Sequence, residues 1–219
     1  MAFPILMAAG QLAIGLVHWL MTVLMSPQAL PRMDFRSGIP AAHRTLVVVP
    51  TMLSNAAGIE RLLEGLEIRY LANREANLHF ALLTDLEDAS TETRDEDAAL
   101  IQQASEGIKD LALKYEHERP DIFFLLHRDR RWNAQENVWM GYERKRGKLA
   151  DLNAMLRGAA GRFSHVAGDT TILQQVEYVI TLDTDTQLPR DSAREMIAAM
   201  SHPLNRPVLD ASGQRVIHG

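Results

Sequence analysis

Residues 45–71 read TLVVVPTMLSNAAGIERLLEGLEIRYL. Thr45 to Pro50 is a short apolar, β-branched run of the kind buried on both faces of a parallel sheet. Polar Thr51, Ser54 and Asn55 follow. From Ile59 to about Leu71 the apolar positions return at helical spacing, with Leu62, Leu63 and Leu66 on one stripe. The stretch reads as strand, loop, helix.

The same unit returns downstream. Leu78 to Thr84 (LHFALLT) is a second predicted strand ending at Asp85, and an acidic loop through Asp97 leads to a long amphipathic helix carrying Leu100, Ile101, Ala104, Ile108, Leu111 and Tyr115. Asp121 to Leu126 (DIFFLL) is a third. A polar segment, His127 to Gly147, precedes a short helix with Leu149, Leu152 and Leu156. A glycine-bearing loop then leads to a fourth strand, Val176 to Leu182 (VEYVITL), and Asp191 is placed to cap a last helix with Met196, Ile197 and Met200. Strands alternating with helices in this way predict an α/β fold whose mostly parallel sheet is covered on both faces through right-handed crossovers. Ligands of such sheets bind beyond the carboxyl ends of the strands, here the loops after Pro50, Thr84, Leu126 and Leu182.

Upstream the chemistry changes abruptly. Every Lys, Arg, Asp and Glu falls at or after Arg32, and from Phe3 to Met25 only Gln11, His18 and Thr22 interrupt an apolar run. About 20 apolar helical residues span a hydrocarbon core of roughly 30 Å, so this is a transmembrane candidate. A signal peptide needs a basic start and a small-residue cleavage site, and neither is present; the remaining alternative is a buried hairpin in a soluble core. Arg32, Arg36 and Arg44 against Asp34 mark the cytoplasmic side of an inner membrane, with the soluble part in the cytosol. Pro27, Pro31, Pro40 and Gly38 fit an extended linker. The expected organisation is a membrane segment and exit over 1–31, a linker over 32–44, and a ligand-binding part over 45–219.

Composition narrows the function. The 219 residues contain no cysteine, which removes thiol catalysis and thiolate metal sites, and a net charge of −5 argues against a nucleic-acid-binding role. Where the fourth strand emerges stand Asp183-Thr184-Asp185, two carboxylates one residue apart that can share a hard divalent cation and leave coordination positions for phosphate oxygens. Arg144-Lys145-Arg146-Gly147-Lys148 puts four cations beside a glycine at a helix start, suited to an anion; a solvated or lipid-facing basic loop is the bland alternative. Pro50-Thr51 and Asp85, with Asp88 behind, are polar groups at strand ends where a base or ribose binds, and equally ordinary strand terminators. Trp132, Trp139 and Tyr142 are placed to stack on a sugar or to pack their own loop onto the domain. The histidines show no clustered spacing.

In order, VVVPTMLSN, the aspartate ending the second strand, Lys148-Leu149-Ala150-Asp151-Leu152-Asn153 and the Asp-x-Asp resemble the nucleotide-sugar half of processive, membrane-bound glycosyltransferases with the Rossmann-like GT-A fold, the group of cellulose and hyaluronan synthases. ERKRGKLADLN and ITLDTDTQLPRD are similar to the wording of the cyclic β-1,2-glucan synthases within it. The resemblance covers about residues 44–219. It implies UDP-glucose as donor, Mg²⁺ or Mn²⁺ at Asp183 and Asp185, and an inverting transfer to a growing glucan acceptor. It further implies that Asp183 also faces the diphosphate, that Lys148 and Arg146 contact phosphates, that Asp85 and Thr51 line the uridine pocket, and that Pro50 and Asn153 belong to the donor-binding motifs.

Two departures accompany it. Ala150 stands where the family's Lys-x-Gly-x-Leu-Asn has glycine, and the family's acceptor base and Arg-Trp pair lie well beyond the Asp-x-Asp, so the sequence is read as part of a larger synthase. Its catalytic base is therefore not assigned. A truncated module that binds nucleotide sugar or docks on a partner is the alternative. A haloacid-dehalogenase-type phosphotransferase is disfavoured, because its Asp-x-Asp opens the first strand and is followed by a Thr where this chain has Gln187.

Overall fold

The computed structural model describes residues 2–25 and 29–218, so 26–28, part of the expected membrane exit and linker, lie outside the described residues. Two compact units emerge, Met1–Pro31 and Arg32–Gly219. The first is built on α1 (Ala2–Leu24), about 35 Å long at 1.5 Å per residue. Within it Ile5–Leu24 has a mean hydropathy of 1.6 and none of its most apolar window is buried. A single continuous helix with exposed apolar sides replaces the buried-hairpin alternative. Thr22 Oγ1 donates to the His18 carbonyl at 2.8 Å, which satisfies the hydroxyl inside the helix.

The second unit carries β1 (Thr45–Leu53), α2 (Ala56–Ala72), β2 (Leu78–Leu86), α3 (Asp97–Lys114), β3 (Phe123–Arg128), β4 (Arg131–Asn133), β5 (Val138–Met140), α4 (Arg144–Leu156), β6 (His165–Ala167), β7 (Tyr178–Thr181), α5 (Ser192–Ser201), β8 (Val208–Leu209) and β9 (Val216–His218). Its main sheet has the order β6-β3-β2-β1-β7, parallel except for the β3–β6 pair. Alternate residues serve opposite faces. Val47, Val49, Phe80, Leu82, Phe123 and Leu125 pack into one core with Ile59 and Leu66 of α2, Ala104 and Ile108 of α3 and Ile197 of α5. Leu46, Val48, Ala81, Leu83, Phe124 and Leu126 form the other with Leu152 of α4. Burial on both sides is why these strands read as unbroken apolar runs.

Boundaries differ from the sequence reading in informative ways. β1 continues three residues past Pro50 and β2 through Leu86, so Pro50, Thr51 and Asp85 lie within strand ends and not in loops. A proline is tolerated there because the Val48 carbonyl accepts from Leu182 N, so even-numbered residues of β1 point toward β7, and β7 pairs with β1 only as far as Val48. The absent N–H of Pro50 faces a side with no strand left to bond. β3 runs on through His127 and Arg128, and the polar segment after it holds the β4–β5 hairpin. α4 begins at Arg144, so the basic run forms its first turn. Asp191 precedes α5 without a capping bond; its left-handed backbone (φ 60°) turns the carboxylate toward Arg194 instead, at 3.3 Å. From the predicted linker, Phe35 and Ile39 are buried in the core, and Met33 N donates to the Ala198 carbonyl at 2.9 Å.

Candidate functional site

At the carboxyl ends of β1 and β2, on the face covered by α4, lies a cavity of about 310 Å³. Pro50, Thr51, Asp85, Lys148 and Thr184 all line it, so residues spread over 135 positions of sequence meet around one space. It sits where chain order reverses, between β1 and β7, the position at which open α/β sheets hold ligands.

Its floor is a buried charge group. Arg128 grips Asp85 through Nε–Oδ1 at 2.9 Å and Nη2–Oδ2 at 3.0 Å, and Lys148 Nζ approaches the same Oδ2 at 3.2 Å. Lys148 also donates to the Thr51 carbonyl. Arg128 Nη1 reaches Asp151 at 2.8 Å, which makes the group two cations and two carboxylates. Burial pulls Lys148 below the usual ammonium range, opposed by Asp85. For Arg128 burial acts downward too, yet the bonds to Asp85 and Asp151 outweigh it and raise the pKa. Gly141 closes over this carboxylate: a Cβ at 141 would fall 2.2 Å from Asp85 Oδ2.

The wall is the first turn of α4. Glu143 and Arg144 have φ of 52° and 47°, an uncommon pair of left-handed non-glycine residues that swings the chain into the helix. Arg144, Lys145 and Lys148 then line the cavity, where the free amides at a helix start add to their charge. Arg144 Nη2 pairs with Asp88 at 2.8 Å, and Lys145 pairs with Asp183. Arg146 points elsewhere, to Glu143 at 2.6 Å, and Asn153 is exposed on α4 away from the cavity lining.

Beyond β7, residues 183–186 form a tight turn in which Thr186 N donates to the Asp183 carbonyl at 3.0 Å. Thr184 enters the cavity lining, while Asp183 and Asp185 are exposed at its rim. Among the described residues no group of three or more His, Asp or Glu gathers as metal ligands.

With this geometry in hand, comparison with known proteins is informative. No family model matches the chain. Over 211 residues, 96% of its length, it is 40% identical to the cyclic beta-(1,2)-glucan synthase NdvB of Rhizobium meliloti (strain 1021). The chain is a homologue of one part of a cyclic β-(1,2)-glucan synthase. It spans about 7% of that protein's length.

In this glucan-synthase homologue the site takes in further residues. Arg128 falls in the predicted polar segment, and only the extra two residues of β3 bring it beside Asp85. Lys145, not Arg146, faces the acidic turn; with α4 starting at Arg144, Lys145 and Lys148 fall three apart on one helix face, a spacing that identifies the pair once the helix start is known. Trp132 and Trp139 stand opposite each other in the hairpin with ring centroids 5.8 Å apart, and Trp139 exchanges two 2.9 Å backbone bonds with Ala89, which ties the hairpin to the acidic loop. Trp132 and Tyr142 remain about half exposed beside a further cavity of about 540 Å³. His79 and His127 are core residues outside the cavity lining, each pushed down to about 4 by burial.

Proposed function

We propose that this chain supplies the donor-binding part of a membrane-anchored, inverting glycosyltransferase that transfers glucose from UDP-glucose in β-1,2-glucan synthesis. The supporting observation is the convergence of Pro50, Thr51, Asp85, Lys148 and Thr184 on one cavity at the sheet's switch point, in a chain homologous to part of a glucan synthase. The uridine end lies against Pro50, Thr51 and the Asp85 floor. The diphosphate faces Lys145, Lys148 and the first turn of α4, where three cations against two carboxylates, Asp85 and Asp88, leave the lining net positive.

A Mg²⁺ or Mn²⁺ ion fits the turn at Asp183 and Asp185. Two exposed carboxylates, with no third protein ligand gathered beside them among the described residues, suit a cation that completes its shell with water and substrate phosphates. When bound, such an ion neutralises charge developing on the departing diphosphate. The chain's own residues hold and orient the donor so that its anomeric carbon is open to an acceptor hydroxyl from the face opposite UDP. Arg146 and Asn153 take no part in this reading. α1 serves as the anchor, with Arg32, Arg36 and Arg44 setting the catalytic part in the cytosol.

Calorimetric titration of the full chain in detergent micelles tests the proposal. UDP and UDP-glucose are expected to bind with Mn²⁺ and to weaken with chelator, while GDP-mannose does not bind. Joint replacement Asp183→Asn and Asp185→Asn removes the Mn²⁺ dependence and leaves the thermal transition in place; unchanged affinity in that variant excludes the metal role.

A further inference from the structure

Arg69 is a charged residue with only 7% of its surface exposed, and no ion pair accompanies it among the described residues. A buried guanidinium must recover its lost hydration through hydrogen bonds. Its bonds all go to one place. Nη2 donates to the carbonyls of Thr186 at 2.8 Å, Thr184 at 2.9 Å and Asp183 at 3.4 Å. One helical turn further along α2, Asn73 continues the attachment: Nδ2 donates to the carbonyls of Pro189 and Leu188 at 3.1 and 3.2 Å, and Oδ1 accepts from Ala193 N at 3.1 Å. The Ala72 carbonyl accepts from Asp191 N at 3.2 Å. The end of α2 therefore holds the chain from the acidic turn to the start of α5.

We propose that Arg69 is the positioning residue of the acidic turn, fixing the backbone of residues 183–186 so that Asp183 and Asp185 are held ready for a cation and its diphosphate. The claim rests on the donor-site reading above and adds to it a residue that touches neither ligand. Pinning the carbonyls inward leaves the carboxylates outward: the Asp183 side chain is 62% exposed although its backbone is tied down. A fixed positive charge behind the turn also offsets the repulsion between two acids one residue apart. Gly65, one turn before Arg69, leaves room for the guanidinium, since a Cβ there would come within 2.9 Å of Arg69 Nη1 and push it aside. Glycine is a poor residue for a helix interior, and room for the guanidinium accounts for it here.

Arg69→Met keeps an unbranched apolar stem and removes the donors; Arg69→Lys keeps a charge and part of the bonding. In the full chain, Arg69→Met should weaken Mn²⁺-dependent UDP binding by about 10- to 100-fold, the usual range for groups that orient metal ligands. Metal-independent uridine binding should not change, and Arg69→Lys should recover part of the loss. Amide hydrogen exchange at residues 183–187 should speed up in Arg69→Met. Wild-type UDP affinity in Arg69→Met, or equal weakening of uridine and UDP, overturns the proposal. If Arg69→Met does not fold, Gly65→Ala decides: weakened Mn²⁺–UDP with intact uridine binding supports the role, and no change in either overturns it. A wild-type chain without Mn²⁺-dependent UDP binding sinks the donor-site reading instead, and the exchange measurement then still judges whether Arg69 orders the turn.

Discussion

The cavity's floor and its rim handle charge in opposite ways. On the floor the side chains of Asp85, Lys148 and Arg128 are 3%, 4% and 6% exposed, and their ion pairs are closed off from water. At the rim Lys145 and Asp183 are 50% and 62% exposed, and their pairing competes with water. Exposed ion pairs are worth roughly 0–1 kcal/mol, whereas removing one member of a buried set strands the rest. Position on the floor is thus enforced by side-chain energetics, and position on the rim by backbone hydrogen bonds. On the proposed donor-site reading, stability and ligand binding are coupled in the first and separable in the second.

The sharpest way to break that contrast is Asp85→Ala. It leaves Lys148 buried without its carboxylate and Arg128 with Asp151 alone, and is expected to destabilise the chain by about 3–5 kcal/mol; a urea-unfolding midpoint near wild type would show that water reaches the floor. Gly141→Ala should be milder. The added methyl meets Asp85 Oδ2, Cγ and Cβ, at 2.2, 2.4 and 2.8 Å, and overpacking of this kind costs about 1–3 kcal/mol. Retained stability together with full UDP binding would mean that the hairpin side of the cavity yields freely. Lys145→Met sharpens the rim side: unfolding free energy should stay within about 0.5 kcal/mol of wild type while UDP affinity falls, and a large stability loss would erase the distinction between rim and floor.

Much of this architecture was legible before any coordinates. TLVVVP and LHFALLT announce strands buried on both faces, and VITLDTDTQLP places two acids where such a strand emerges. Short or mixed elements were not legible. His165–Ala167 is three residues long, too few to show a period, and becomes a strand only because Leu125 to His127 offer it an edge. β4 and β5 are equally short, and with only three residues each inside a polar segment they read as loop. Pro50, Thr51, Asp85 and the Asp-x-Asp are picked out by residue type at strand ends and Lys148 by the basic run at a helix start, while their roles toward a donor come from the resemblance alone. Arg128 was missed because two residues of strand length decide whether it lies beside Asp85. Arg69 and Asn73 could not be found, since their partners are carbonyls more than a hundred positions away and every residue has a carbonyl.

Pro50 has one further consequence. An open flank of a β-strand ordinarily invites another polypeptide to hydrogen-bond onto it, the first step of aggregation. Where β1 first outruns β7, Pro50 has no N–H to offer, so a foreign strand arriving beside the cleft would find one rung of its ladder missing.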